Sequence, residues 1–145
     1  MEEIGNPFFG GVDVAHRRRT FTLEQANSAL PLVRRIVADI VASYREITEM
    51  RQRLALNSLT RSEREQLEAA AEHQEQVFDG LLNELDGIGC ELKDPEIGLI
   101  DFIGRHEGGD VCLCWRLGED RVAWWHELHT GFAGRQPAST LNEQG

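Results

Sequence analysis

The stretch that decides the fold is LVRRIVADIVASYREITEMRQRL, residues 32–54. Its apolar side chains recur at steps of three and four residues, which predicts one buried stripe along a helix. The stripe consists of Val33, Ile36, Val37, Ile40, Tyr44, Ile47 and Leu54. Upstream, Thr22 and Gln25 have the spacing of a capping box, so we expect the helix to begin at Thr22. Pro31 lacks a backbone N–H, which predicts a kink or a short break there.

A second capping box, from Thr60 to Glu63, predicts a second helix. Its stripe consists of Leu67, Ala70, Ala71, Gln74, Val77, Phe78, Leu81, Leu82 and Leu85, and it ends at glycines 87 and 89. Because the intervening loop is short, the two helices must pack antiparallel. Two such helices present more apolar surface than one small sheet covers, so we predict a homodimer that forms a four-helix bundle through the helical hairpin.

The repeat changes after Gly89. Residues 97–102, 111–117 and 122–125 are rich in β-branched and aromatic side chains and are separated by glycine-containing turns, which predicts three strands. Pairing Leu117 with Val122 predicts a hairpin for the last two. One face then carries Val111, Leu113, Trp115, Leu117, Val122, Trp124, His126 and Leu128, and the other carries Cys112, Cys114, Arg116, Trp125 and Glu127. The predicted fold is α+β, a long antiparallel helical hairpin packed on a small antiparallel sheet of about three strands.

The composition limits the partners and the setting. The chain of 145 residues suits one domain, predicted for residues 20–137, with the helical hairpin at 20–88 and the β-hairpin unit with its Gly/Arg loop at 90–137. Residues 1–19 are predicted to be a mobile leader and 138–145 a flexible tail. A net charge of −10 disfavours nucleic acid, and no apolar run is long enough to span a membrane. Three cysteines, an odd number, favour a reducing cytoplasmic setting.

The residues with chemical potential lie in CLCWRLGE, 112–119, and WWHELHTGFAGRQP, 124–137. For a metal, the candidates are Cys112, Cys114, His126 and His129. The HELH run is one residue short of HExxH, and on a strand His126 and His129 face opposite ways. We therefore favour thiols packed in the core and a hydrogen-bonded histidine. A nucleophilic pair of Cys112 or Cys114 with His126, oriented by Glu127, is a further alternative. The predicted register places Cys114 and His126 on opposite faces, which argues against it.

An anion site is the best site hypothesis. Backbone N–H groups of the loop from Gly131 to Arg135, together with the guanidinium groups of Arg135 and Arg116, suit a carboxylate or a phosphate. The candidate ligand-binding residues are Arg116, Trp125, His126, Glu127 and Arg135. The alternative, which we favour, is that the two arginines pair with Asp94, Asp101, Glu119 or Glu127 and brace the loops.

Two parts of the sequence resemble a known family. The runs FTLEQAN at 21–27 and LPLV at 30–33, with CWRLGE at 114–119 and WHELHTGFAGRQP at 125–137, resemble an uncharacterised bacterial domain-of-unknown-function family, number two-two-zero-three. The resemblance covers roughly residues 20–137. It implies a bacterial protein of this single-domain type and carries over no catalytic residue.

The function predicted from the sequence is that of a non-catalytic structural or interaction module that self-associates through its helical hairpin. One alternative is a small-molecule binding protein or small enzyme that takes a carboxylate or phosphate at the β-hairpin and the 131–137 loop. A further alternative is a metal-binding protein. No cofactor is predicted.

Overall fold

The structure is a computed structural model that describes residues 19–144, so most of the predicted leader lies outside the described residues. Within that range two helices precede five strands. They are α1 (Leu23–Leu54), α2 (Arg61–Ile88), β1 (Cys90–Asp94), β2 (Leu99–His106), β3 (Gly109–Arg116), β4 (Trp124–Glu127) and β5 (Gln136–Pro137). The fold is α+β, but the expectation of about three strands is wrong.

Both helices begin where the capping boxes predict. Thr22 Oγ1 accepts a hydrogen bond from the backbone N–H of Gln25 at 3.0 Å, and the Gln25 side chain accepts in return from the N–H of Thr22 at 2.9 Å. Thr60 caps α2 in the same way. The break expected at Pro31 is absent, because α1 is continuous over 32 residues. Pro31 and Leu32 are exposed, whereas Leu30 and Val33 on either side of them are buried in the core, so packing of the helix stabilises it against the loss of one backbone hydrogen bond.

The strands form one antiparallel sheet in the order β1-β2-β3-β4-β5. The two strands that the sequence did not predict lie at its edges. Strand β1 has the mixed sequence CELKD, and β5 has two residues. Neither is long enough or apolar enough to show a clear period of two.

The predicted register of β3 against β4 is wrong by one residue. Cys112 lies opposite His126, and Cys114 lies opposite Trp124. The cause is the loop that joins the strands: the N–H of Leu117 bonds to Gly98 at 3.0 Å instead of pairing across to Val122. A shift of one residue moves side chains to the other face of a strand. Cys114 and His126 therefore share a face.

The sheet packs one face against the helices and turns the other away from them. The inner face contributes the fully buried Ile100, Phe102, Leu113 and Trp115 to a core shared with Val33, Val37 and Ile40 of α1 and with Leu85 of α2. The outer face carries the alternate residues of the strands: Glu91 lies opposite Asp101, and Asp101 lies opposite Cys114. The polar groups of the sheet thus gather on the face away from the helices.

The segment for which we predicted a flexible tail is hydrogen-bonded to the rest of the fold. The backbone N–H of Asn142 donates to Nδ1 of His106 at 2.9 Å, and the N–H of Leu23 donates to the Glu143 carboxylate at 2.6 Å. These bonds join residues 142–143 to the end of β2 and to the start of α1. No helix among the described residues has the length and apolarity needed to cross a membrane.

Candidate functional site

Three strands bring a carboxylate, a thiol and an imidazole together on the outer face of the sheet. Asp101 comes from the middle of β2, Cys114 lies opposite it on β3, and His126 comes from β4. One ligating atom from each side chain lies within 4.8 Å of the other two. Asp101 and His126 are only 2% and 3% exposed, and Cys114 is fully buried. Buried groups of this kind require specific partners, because water cannot solvate them.

The imidazole of His126 has a partner at each nitrogen. Nδ1 lies 2.7 Å from the backbone carbonyl of Glu127, and because a carbonyl only accepts, Nδ1 must carry the proton. Nε2 then faces the Asp101 carboxylate, at 3.2 and 3.3 Å from its two oxygens. A histidine that binds a metal is normally held this way, with its second nitrogen donating to a carbonyl or carboxylate.

The two outer-face thiols are protonated in the absence of a cation. Burial raises the pKa of Cys114 to about 12, and the neighbouring Asp101 carboxylate contributes in the same direction. Burial and Asp101 raise the pKa of Cys112 to about 12 as well. A nucleophilic cysteine needs a lowered pKa or a base with a free nitrogen. Nδ1 of His126 is engaged by the Glu127 carbonyl and Nε2 is directed at the Asp101 carboxylate, so this geometry argues against the Cys/His nucleophile.

A small cleft of about 150 Å³ opens beside the cluster. It is lined by Lys93, Leu99, Asp101, His126, Leu128, Gly131 and Phe132. Asp101 and His126 therefore belong both to the buried cluster and to the wall of the cleft. Lys93 Nζ forms an ion pair with the carboxylate of Glu91, its neighbour on the same face of β1, at 3.0 Å.

Arg135 braces the 128–135 loop that flanks this cleft. Its guanidinium donates twice to the Glu119 carboxylate, at 2.7 and 2.8 Å, and it lies 4.5 Å from the centre of the Phe132 ring. Burial opposes the charge of Glu119, but hydrogen bonds from Arg135 and from the backbone of Arg116 lower its pKa overall. One nitrogen of Arg135 also lies 3.4 Å from the Cys114 carbonyl. Arg135 thus pairs with Glu119, one of the bracing partners expected from the sequence.

The other predicted site residues are dispersed. Arg116 and His129 are exposed, and Trp125 faces the inner side of the sheet, where its Nε1 donates to Thr140 at 2.9 Å. Glu127 contributes its backbone carbonyl to His126. The anion site of Arg116, His126 and Arg135 stays a prediction, with Arg135 already engaged by a carboxylate.

Of the predicted metal candidates, Cys114 and His126 come together, and Cys112 lies directly opposite His126 on the adjacent strand. His129 lies outside the cluster. The sequence predicts Asp101 only as a bracing partner, although its context holds a signal: Asp101 is an acid in the middle of the apolar strand run LIDFI, residues 99–103. An acid that alternation places on a buried sheet face is a candidate functional residue.

Comparison with known proteins places the chain in a family. Residues 19–138 match the family model described as uncharacterized conserved protein (DUF2203). No curated protein and no solved structure matches the chain. The matched range contains both helices and all five strands that the structure describes. The chain belongs to the uncharacterised conserved protein family DUF2203.

Proposed function

We propose that this protein binds one divalent transition metal ion, for which zinc is the best fit. The ligands are a carboxylate oxygen of Asp101, the sulfur of Cys114 and Nε2 of His126. The observation that carries the proposal is the convergence of these three ligating atoms within 4.8 Å in a buried position, with the His126 ring oriented by the Glu127 carbonyl. Imidazole and thiolate together favour zinc or a similar ion over magnesium or calcium.

The distances support a tetrahedral centre. Bonds of about 2.0–2.3 Å from zinc to nitrogen, oxygen and sulfur place two ligating atoms about 3.3–3.8 Å apart. Nε2 of His126 is 3.2 Å from Asp101 in the structure. Nε2 and the Asp101 oxygen therefore need to move by only a few tenths of an ångström to hold an ion, and the ligating atoms of all three side chains lie within 4.8 Å of one another.

The charges of the cluster support a divalent ion. The Asp101 carboxylate and a Cys114 thiolate supply two negative charges, which neutralise such an ion, and a neutral centre is the form that a buried site favours. A bound cation deprotonates a coordinating thiol. Because the thiol must stay reduced to act as a ligand, a cytoplasmic setting is part of the proposal.

The test is a metal titration of the full chain after dialysis against a chelator. We expect one zinc or cobalt ion per chain and a rise in the unfolding temperature. Free metal at 100 times the dissociation constant should stabilise the fold by about 2.7 kcal/mol. Bound cobalt should give a thiolate-to-metal charge-transfer band in the near ultraviolet, which reports Cys114 directly.

Two variants separate a metal centre from a buried pair without metal. Cys114→Ser removes the thiolate with little change in volume, so it should fold without metal and lose both the band and the stabilisation. His129→Ala removes an exposed imidazole three residues after His126 and should bind as the wild type does. The proposal fails if no ion binds, or if Cys114→Ser binds metal as tightly as the wild type.

A second proposed function is self-association through the helical hairpin. The buried side chains of α1 end at Ser43, although the helix extends to Leu54, and Val77 on α2 is 39% exposed. The basic α1 and the acidic α2 already pair within the chain, as Arg51 with Glu75 shows, so the proposal depends on the exposed apolar positions, which a second copy packed antiparallel would cover. Light scattering after size exclusion tests this, and the mass of a monomer at micromolar concentration contradicts it.

A further inference from the structure

We infer that the metal centre is open toward the cleft and that its fourth position takes a small monocarboxylate with a short apolar tail. This inference rests on the proposed function. Zinc held by three protein ligands keeps its fourth position for water or substrate. Asp101 and His126 line the cleft and Cys114 does not, so the open side of the ion faces the cleft.

The size of the cleft limits the ligand. Its volume is about 150 Å³. This is below the roughly 300–1,000 Å³ of pockets that hold drug-sized ligands, so the cleft suits a ligand of only a few non-hydrogen atoms.

The walls of the cleft indicate the chemistry of that ligand. Leu99, Leu128 and Phe132 form an apolar wall, which suits a short hydrocarbon tail. A metal ion favours an anionic oxygen at its open position. Lys93 also lines the cleft and supplies hydrogen-bond donors. An ammonium group has three donors, and Glu91 engages Lys93 through one contact at 3.0 Å. A carboxylate can place one oxygen on the metal and the other against the ammonium group.

Lys93 is also the only lysine among the 145 residues. An ammonium group on a flexible stem can turn toward a ligand in a way that a planar guanidinium cannot. The single lysine also makes the site accessible to experiment, because a lysine-specific label reports this side chain and no other.

The competing arrangement is a closed centre. Cys112 is buried on the same face, directly opposite His126, and a thiolate from it would occupy the fourth position. Such a centre holds two thiolates and leaves no place for a ligand. The number of thiolates on the metal therefore decides between the two arrangements.

The experiment uses the cobalt-loaded full chain. Propionate, and propionamide as a neutral control of similar shape, are each titrated while the visible cobalt bands are recorded. We expect a saturable change with propionate and none with propionamide. Lys93→Met should leave cobalt binding unchanged and weaken propionate binding by about tenfold, the effect of losing one charge-assisted hydrogen bond. Cys112→Ser should leave the thiolate band at full intensity.

Each outcome has a defined meaning. If cobalt binds and propionate leaves the bands unchanged, or if propionamide acts equally, the open site is overturned and the metal centre stands. If Cys112→Ser halves the thiolate band, the centre is closed and the inference is overturned. An unchanged propionate affinity in Lys93→Met overturns the carboxylate-binding geometry. If no cobalt binds at all, the proposed function itself fails.

Discussion

Replacing Asn27 by alanine should destabilise the fold by about 1.3–2 kcal/mol. Its side-chain oxygen accepts from the N–H of Val122 at 2.8 Å, and its amide nitrogen donates to the Val122 carbonyl at 3.1 Å. Val122 is 1% exposed, so alanine leaves two buried peptide groups without partners. Each such group costs about 1–3 kcal/mol. Asn27 itself is half-buried, so water reaches part of the space and the low end of that range applies. The higher helix propensity of alanine offsets up to about 0.7 kcal/mol.

Urea unfolding followed by far-ultraviolet circular dichroism measures this difference. Asn83→Ala is the matched control, because Asn83 is exposed on α2 and gains the same helix propensity. In a thermal scan the loss corresponds to roughly 3–8 °C for a domain of this size. Asn27→Asp keeps the acceptor and the shape but turns an oxygen toward the Val122 carbonyl, so it should be at least as destabilising. If Asn27→Ala and Asn83→Ala agree within about 0.5 kcal/mol, the amide bridge contributes nothing and the reasoning is refuted.

Three further predictions concern charge, thiol reactivity and backbone. Because its arginine partner lowers the pKa of Glu119, the carboxylate stabilises the fold above the unfolded value of about 4.3, and this contribution is lost as the pH falls through the folded value. Urea unfolding should therefore show that the wild type exceeds Glu119→Gln in stability by less at about pH 3 than at about pH 6. A difference that stays constant over this range contradicts the prediction. Burial raises the pKa values of Cys112 and Cys114 to about 12, so neither thiol should be alkylated in the native metal-free protein at about pH 8. Rapid labelling of both thiols, detected by mass spectrometry, would contradict this prediction. Gly98→Ala should lower the unfolding temperature, because φ at Gly98 is 72° and the added Cβ lies 2.8 Å from a leucine side chain. Gly87→Ala should raise the unfolding temperature, because the added Cβ there meets nothing within 4 Å. Equal shifts in the two variants would refute this account.

The helices were predictable because their signals are local. Each has its capping box and a stripe at steps of three and four, and tertiary packing does not alter either signal. The passage from helix to strand was predictable for the same reason. Gly89 takes a left-handed φ of 114°, and strand β1 starts at the next residue.

The register of the sheet was not predictable, because residues distant in sequence set it. Val122 is held by Asn27, 95 positions away, and Leu117 by Gly98 on a neighbouring turn. The sequence around the loop carries no sign of either contact. A one-residue error there placed Cys114 and His126 on opposite faces, so the metal candidates appeared unable to meet. One long-range constraint on a loop thus hid the meeting of Cys114 and His126, which the sequence had singled out, while Asp101 was not among the metal candidates.

Under the proposed function, the buried Asp101 and His126 side chains add little to the stability of the metal-free protein. Desolvation offsets most of the attraction between two buried polar or charged partners, so replacing both by apolar residues is often neutral or stabilising. Removing one partner leaves the other buried alone and typically costs about 3–5 kcal/mol. The Asp101→Leu, His126→Leu double variant of the metal-free protein should therefore be markedly more stable than His126→Leu alone.

Urea unfolding of the wild type, both single variants and the double variant gives the coupling between the two side chains. The double variant should approach the stability of the metal-free wild type and bind no metal. If it is as unstable as the sum of the single variants, Asp101 and His126 contribute to folding independently, and a structural role explains their burial without a metal. If the double variant regains the stability of the metal-free wild type but binds no metal, the two polar side chains are not needed for folding. Their burial then serves metal binding, because two leucine side chains support the sheet equally well.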